Sequence, residues 1–201
     1  MINDRLHIID NFLSPKEADL VEFTLGRNSR TDAFPWYCSK IDMDTKELDN
    51  FQFVHSFYKS LSMEKKDNGK YNNLLNLFLF KILPFALVRI KANLVPRTPK
   101  IKKHALHVDY PFLQPNLQTG IYYVNDNNGY TEFEDGTKVD SVKGRFIVFP
   151  TSMKHTGTTC TNKVYRCVIN FNFIANLEPS CPLNQLILNQ LTKEEKINPT
   201  K

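Results

Sequence analysis

The chain has 201 residues, of which 41% are hydrophobic and 23% are charged, and its formal net charge is +5. This composition excludes a disordered chain and predicts one folded domain around one main core. The most apolar run, over residues 74–88, contains a lysine and a proline and is too short to cross a bilayer, so we expect no membrane partner. The modest positive charge supports nucleic acid as a partner only weakly.

The N-terminal part begins with a predicted strand and a predicted helix. Residues 6–12 favour a strand. The SPKE motif at 14–17 combines an N-cap serine, a proline at the first helical position and a capping-box glutamate. We therefore expect a helix that begins there and runs to about Leu25.

The rest of residues 1–85 is expected to form helical support for the core. We predict irregular structure over 27–44, a helix over 45–63, and a second helix from about Tyr71 that ends or kinks at Pro84.

Residues 86–175 show the alternating pattern of strands instead. Turn signals such as DNNG at 126–129, DG at 135–136 and KG at 143–144 separate short apolar segments. Many short strands at this spacing are typical of an antiparallel sandwich or jelly roll. The predicted strands are 87–95, 104–109, 117–125, 130–134, 137–140, 145–149 and 164–173. The tail, 176–201, predicts one short helix.

The four cysteines form no CxxC pair, and we expect free thiols, although Cys160 and Cys167 could approach across a hairpin. The first residues carry charges within their apolar stretch, which is not the pattern of a signal peptide. Both observations favour a reducing, cytoplasmic location.

A candidate metal site begins with the HVD motif at 107–109. Alternate side chains of a strand share a face, so His107 and Asp109 should point the same way, and His104 should face away. His155 follows after several predicted strands and could come from the facing sheet. Two imidazoles and one carboxylate are the ligand set of non-haem Fe(II) oxygenases. An HxD pattern alone also occurs by chance, and only its combination with a later histidine and arginine favours a metal site.

A candidate anion pocket follows from Arg166, which opens the apolar strand RCVINFNF. A buried guanidinium is unfavourable unless an anion meets it, and a carboxylate can do so in bidentate fashion. Tyr123 could donate to the same carboxylate, Ile121 shares its face, and Thr131 on the next strand is a further candidate for the wall. The alternative is a surface ion pair of Arg166 at the strand's edge.

The motifs HVDYPF, TGIYYVN, GYTEFEDG, KGRFIVFP and YRCVINFNF together resemble the prolyl-hydroxylase-like branch of the Fe(II)/2-oxoglutarate-dependent dioxygenases, particularly its short phage and bacterial members. The resemblance covers residues 86–175. It implies a mainly β fold with N-terminal helices, namely a double-stranded β-helix (a cupin-like jelly roll) with helices packed on one sheet. Residues 1–201 would then be a single domain with 86–175 as its catalytic core.

The resemblance also implies the site residues. His107, Asp109 and His155 would be the iron ligands, and Arg166 would bind the distal carboxylate of 2-oxoglutarate with the help of Tyr123. Collagen-type prolyl hydroxylases place lysine where Arg166 stands, which shifts the likeness toward the oxygen-sensing and the bacterial or viral members.

The implied activity is hydroxylation that uses Fe(II), 2-oxoglutarate as cosubstrate and dioxygen. We expect a protein or peptide side chain such as proline as the substrate, ahead of a small molecule or nucleic acid. Other hypotheses are a non-catalytic cupin-like metal-binding module and a jelly-roll isomerase that uses zinc or manganese. The basic segment 89–103 favours a solvated face, but it could also contact a phosphate backbone or an acidic protein near the pocket mouth.

Overall fold

The computed structural model describes residues 5–26, 33–41, 51–60, 69–110 and 116–197. Within these ranges the chain forms ten strands and three helices. They are β1 (His7–Ile9), α1 (Pro15–Leu25), β2 (Tyr37–Lys40), β3 (Phe51–Lys59), α2 (Asn72–Ile82), β4 (Ala86–Pro96), β5 (Leu117–Tyr123), β6 (Tyr130–Phe133), β7 (Lys138–Asp140), β8 (Phe146–Pro150), β9 (His155–Gly157), β10 (Tyr165–Ile174) and α3 (Pro182–Ile197).

The strands form two antiparallel sheets. The large sheet has seven strands in the order β1-β8-β5-β10-β4-β3-β2, and the small sheet has three in the order β7-β6-β9. Single bridges from Lys103 to Thr158 and from His107 to His155 place the segment before β5 beside the small sheet. The expected jelly-roll fold, a double-stranded β-helix, is confirmed. The strand expected over 104–109 is reduced to the single bridge at His107.

The large sheet separates two cores because its side chains alternate between its faces. One face packs against all three helices, with Ile90, Ile169 and Phe171 among its buried residues. The other face packs against the small sheet through Ile121 and Val168. The helices therefore cover one sheet, as expected, and leave the space between the sheets for a site.

Two predicted helix boundaries are confirmed. Ser14 caps α1, where its hydroxyl accepts from the Glu17 backbone N–H and the Glu17 carboxylate accepts from the Ser14 backbone N–H. α2 ends at Ile82, and its C-cap residue Leu83, whose φ of 42° is left-handed, directly precedes Pro84. No helix in the described part of the chain is long and apolar enough to cross a membrane. The four cysteines are free thiols, as expected.

The helix expected over 45–63 is wrong where the structure describes that segment. Residues 51–59 are instead the strand β3, which pairs with β2 and β4. Phe51, Phe53, His55 and Phe57 alternate with other residues, and aromatic residues favour strands, so this segment fits a sheet position better than a helix. Residues 42–50 and 61–68 lie outside the described residues. β2 likewise occupies part of the stretch expected to be irregular.

Two adjacent tyrosines on β5 show how different the two faces are. Tyr122 and Tyr123 are both fully buried, but Tyr122 packs under the helices and Tyr123 packs between the sheets. The Tyr123 hydroxyl donates to the Thr131 hydroxyl at 2.8 Å. The Tyr122 hydroxyl has no hydrogen-bond partner among the described residues. A buried polar group without a partner is destabilising.

We therefore predict opposite effects from removing the two hydroxyls. Tyr122→Phe should raise the free energy of unfolding by about 1 kcal/mol, because an unsatisfied hydroxyl leaves the core. Tyr123→Phe, the matched control, should lower it by about 1 kcal/mol, because a made hydrogen bond is lost. Urea denaturation followed by circular dichroism measures both values, and equal effects of the two substitutions would contradict the assignment.

Candidate metal and carboxylate site

His107 and His155 are joined through their backbones. Each donates its N–H to the other's carbonyl at 3.0 Å, and their ring centroids lie 4.8 Å apart. Asp109 follows two residues later. One ligand atom from each of these three side chains lies within 4.8 Å of the others. The structure therefore brings together the three residues expected from the HVD motif and the later histidine.

Both imidazoles are oriented by the backbone. His107 Nδ1 lies 3.2 Å from the Ala105 carbonyl oxygen, and His155 Nδ1 lies 3.1 Å from the Met153 carbonyl oxygen. Because a carbonyl oxygen can only accept, each Nδ1 carries the hydrogen and each Nε2 keeps its lone pair for a metal ion. Burial lowers the pKa of His155, although nearby Asp109 opposes the shift. His155 is thus kept in the neutral form that ligates metals.

The Asp109 carboxylate is held by three donors that the sequence reasoning missed. Arg89 Nη2 donates to Oδ1 at 3.1 Å. Asn172 Nδ2 and the Thr119 hydroxyl donate to Oδ2 at 3.1 and 3.2 Å. Burial acts to raise the pKa of Asp109, but Arg89, followed by His155 and Asn172, holds it below its usual value. The carboxylate therefore remains ionised.

The three donors share one cross-strand row of the large sheet. Asn172 on β10 pairs with Arg89 on β4 and with Thr119 on β5. Arg89 Nε also donates to Asn172 Oδ1 at 2.8 Å, and Asn172 Nδ2 also donates to the Thr119 hydroxyl at 3.0 Å. The alternation along the strands puts each of them on the inner face, but only the strand pairing puts them beside Asp109.

Arg166 lies fully inside the cavity wall and is 4% exposed. Its Nε donates to the Ser141 hydroxyl at 2.8 Å, and its Nη2 donates to the Thr131 hydroxyl at 3.0 Å. It makes no ion pair with a carboxylate among the described residues. Burial lowers its pKa, with a small opposing influence from Tyr123. A buried cation of this kind is suited to an anionic ligand.

The neighbours of Arg166 give it room and partners. A Cβ on Gly157 would lie 3.2 Å from Arg166 Nη1, so a larger residue there would crowd the guanidinium. Thr131 accepts from both Tyr123 and Arg166, which leaves its own hydroxyl hydrogen to donate to a ligand. Tyr123 was expected to donate directly to a bound carboxylate, but its hydroxyl is used by Thr131.

These groups line one cavity of about 500 Å³ between the two sheets. Its wall includes six of the seven expected site residues, namely His107, Asp109, His155, Arg166, Ile121 and Thr131. Tyr123 lies behind Thr131 and is not part of the wall. His104 does line the cavity, which contradicts the expectation that it faces away. The parity argument fails because residues 104–109 form no regular strand.

The sequence matches no protein-family model and no curated protein sequence. Solved structures with a similar fold include a Pseudomonas putida prolyl-4-hydroxylase at 12% identity and a TM-score of 0.53, where the match covers 85% of this chain and 92% of that one. The non-heme alpha-ketoglutarate-dependent carbocyclase SnoK from nogalamycin biosynthesis matches at 9% identity and a TM-score of 0.57, over 89% of this chain and 85% of that one.

A third similar structure is a Trichoplax adhaerens prolyl hydroxylase in complex with a peptide fragment of the hypoxia inducible factor oxygen degradation domain. Its identity is 13% and its TM-score is 0.50, over 84% of this chain and 83% of that one. These similarities show that the chain has the fold of the 2-oxoglutarate- and Fe(II)-dependent oxygenases, including prolyl hydroxylases. Two imidazoles and one carboxylate, the donor set in its cavity, fit a non-haem Fe(II) ion.

We predict that the row of donors behind Asp109 sets the affinity for a metal ion. Thr119→Val should weaken Co(II) binding about tenfold to hundredfold, because a donor that orients the carboxylate is lost. Anaerobic titration calorimetry measures the affinity. Thr151→Val is the matched control, since the Thr151 hydroxyl contacts the Thr119 hydroxyl at 3.0 Å but has no contact with Asp109. Equal loss of affinity in both variants would contradict a specific role for Thr119.

Proposed function

We propose that the chain is an Fe(II)- and 2-oxoglutarate-dependent dioxygenase that hydroxylates a protein side chain such as proline. One observation carries the proposal. A cluster of two histidines and one aspartate shares a cavity with a buried arginine that has no carboxylate partner among the described residues. A metal and a carboxylate-bearing cosubstrate are the two ligands that this pair of features fits.

The donor set supports Fe(II) at His107, Asp109 and His155. Two neutral imidazoles and one ionised carboxylate leave the remaining metal positions open for other ligands. Arg166 and Thr131 would hold the distal carboxylate of 2-oxoglutarate, with Ile121 as an apolar wall and Tyr123 as the support of Thr131. When bound together, Fe(II) and 2-oxoglutarate supply the oxidation by dioxygen, with release of succinate and carbon dioxide.

The protein itself would bind the metal and the cosubstrate, orient the metal ligands and exclude water. The carbonyls of Ala105 and Met153 fix the two imidazole rings, and Arg89 and Asn172 fix the carboxylate. The inner apolar core, which includes Val168 on the cavity wall, keeps the cosubstrate side dry. Preorganised ligands and a dry cavity are the contributions that a protein makes to metal-dependent oxidation.

The choice of a protein side chain as the substrate rests on similar solved structures of low sequence identity. The Trichoplax structure holds a peptide, and the Pseudomonas protein is a prolyl-4-hydroxylase, which supports a protein or peptide substrate. The carbocyclase from nogalamycin biosynthesis supports a small molecule as the alternative. We place catalysis in 86–175, with 1–85 as support and 176–201 as a tail, and we propose a cytoplasmic location because the four thiols are free.

Removal of a metal ligand should abolish turnover. His107→Ala or Asp109→Ala should reduce succinate formation to the background of protein without iron, because two remaining ligands hold the metal poorly. The measurement is the release of succinate from 2-oxoglutarate after anaerobic loading with Fe(II). Asp135→Ala removes a carboxylate from an exposed turn and serves as the control. Full turnover by the His107 variant would remove the assignment.

Removal of the buried cation should separate cosubstrate binding from metal binding. Arg166→Met should weaken 2-oxoglutarate binding by about a hundredfold, because one partner of a buried charge pair is lost. The affinity for Co(II) alone should stay within about twofold, since Arg166 touches none of the three ligands. Titration calorimetry with each ligand in turn measures both. If the metal binds but 2-oxoglutarate does not bind the wild-type chain, the oxygenase proposal fails, and a jelly-roll isomerase or a cupin-like metal-binding module is supported instead.

A further inference from the structure

A third cation, Lys91, lines the cavity in addition to Arg89 and Arg166. Arg89 is paired with Asp109, and Arg166 is held by the hydroxyls of Ser141 and Thr131. The Lys91 side chain makes neither a hydrogen bond nor an ion pair within the described ranges. Burial, with a further contribution from Arg89, lowers its pKa to about 8. Asp109 opposes this shift. The Lys91 side chain thus faces a cavity rather than open solvent.

Lys91 occupies a different place from the carboxylate pocket at Arg166. It pairs with Asn170 on β10, one pleat from the row of Arg89 and Asn172 that holds Asp109. Arg166 pairs with Val95, four residues further along β4. At about 3.3 Å per residue, the row of Arg166 and Val95 lies roughly 13 Å from the row of Lys91 and Asn170. The row of Arg89 and Asn172, which holds Asp109, lies roughly 7 Å from the Lys91 row. An anion at Lys91 would therefore lie beside the metal ligands, apart from an anion at Arg166.

Two amide groups next to Lys91 also point to a ligand. Asn93 is 6% exposed, lines the cavity, and its Oδ1 atom has no hydrogen-bond partner among the described residues. Asn170 also lines the cavity, and its Oδ1 is likewise buried without a partner there. A buried carbonyl oxygen without a donor is unfavourable, so each is suited to an N–H or O–H group brought by a ligand.

We propose that Lys91, Asn93 and Asn170 recognise a carboxylate of the substrate together with an adjacent N–H group. This inference rests on the proposed function, because it treats the surface beside the metal ligands as the substrate site. A carboxylate suits Lys91 better than a phosphate does, since one ammonium balances one negative charge. A dianionic phosphate would leave a second charge buried without a partner.

Two sources can supply this chemistry: an acidic residue of a peptide, or a free amino acid. The cavity wall continues across the large sheet from β4 to Gln52 on β3, two residues from the Val54 that pairs with Asn93, and to Ile41 just after β2. This surface extends over strands spaced about 4.8 Å apart, and an extended peptide would cover more of it than a single amino acid would. The peptide is therefore the source we expect, and the test separates the two.

The test measures binding, with no need for turnover. A randomised hexapeptide library, acetylated and amidated so that Asp and Glu carry its only carboxylates, is passed over the immobilised full-length chain. The chain is used with and without Co(II) and 2-oxoglutarate. Wild-type chain should retain peptides enriched in Asp or Glu. Lys91→Met should lose that enrichment and bind the selected peptide about tenfold to a hundredfold more weakly. Lys91→Glu should instead favour Lys or Arg.

Controls separate this proposal from folding and from the proposed function. Lys138→Met removes an exposed lysine that lies outside the cavity wall, and it should keep the acidic preference. Thermal unfolding checks that each Lys91 variant is folded. If the wild-type chain forms no succinate, the proposed function fails, while the library result still reports on Lys91.

A second arm measures binding of L-glutamate and L-aspartate by calorimetry. Lys91-dependent binding of these amino acids without peptide enrichment supports carboxylate recognition and identifies the free amino acid as its source. The proposal is overturned if neither the binding of acidic peptides nor the binding of acidic amino acids depends on Lys91. It is also overturned if Lys91→Met weakens 2-oxoglutarate instead, because Lys91 then binds the cosubstrate.

Discussion

The paired backbone hydrogen bonds between His107 and His155 are the contact on which the candidate site depends. They join a segment that precedes β5 to a strand of the small sheet, although neither partner lies in a long regular strand. Because the two residues are directly opposite, their side chains emerge on the same side and meet. Asp109 lies only two residues after His107, so its carboxylate reaches the same point as the two imidazoles. The loss of this pairing would separate the ligands even if every side chain were kept.

The large sheet supplies two things that this contact lacks. They are a rigid support for the Asp109 carboxylate and the cationic side chain of Arg166. Rows of cross-strand neighbours place Asn172, Arg89 and Thr119 behind Asp109 and place Arg166 further along the same face. The cavity wall thereby collects three cations against one carboxylate. Such an imbalance is unfavourable inside a protein unless anions bind there. The charge distribution thus indicates anionic occupants, and the cluster of two histidines and one aspartate indicates a metal ion beside them.

The fold by itself does not identify a reaction, because the same architecture supports different chemistry in proteins of very low identity. The similar structures include a prolyl-4-hydroxylase and a carbocyclase. His107, Asp109, His155 and Arg166 are the residues on which the proposed oxygenase chemistry rests. The surface around Lys91 lies in a different strand row from Arg166, and we propose that it selects the substrate.

The sequence by itself determined the jelly-roll class and the capped start of α1, and it singled out His107, Asp109 and His155, which the structure brings together, because each depends on local alternation, a short motif or a residue type. It failed where tertiary pairing decides. β3 was mistaken for a helix, since a segment with many aromatic residues fits either structure until β4 pairs with it. His104 lines the cavity because its segment is no regular strand. Arg89, Asn172 and Thr119 were missed for a related reason: alternation gives a residue's face, and only strand register gives its neighbour.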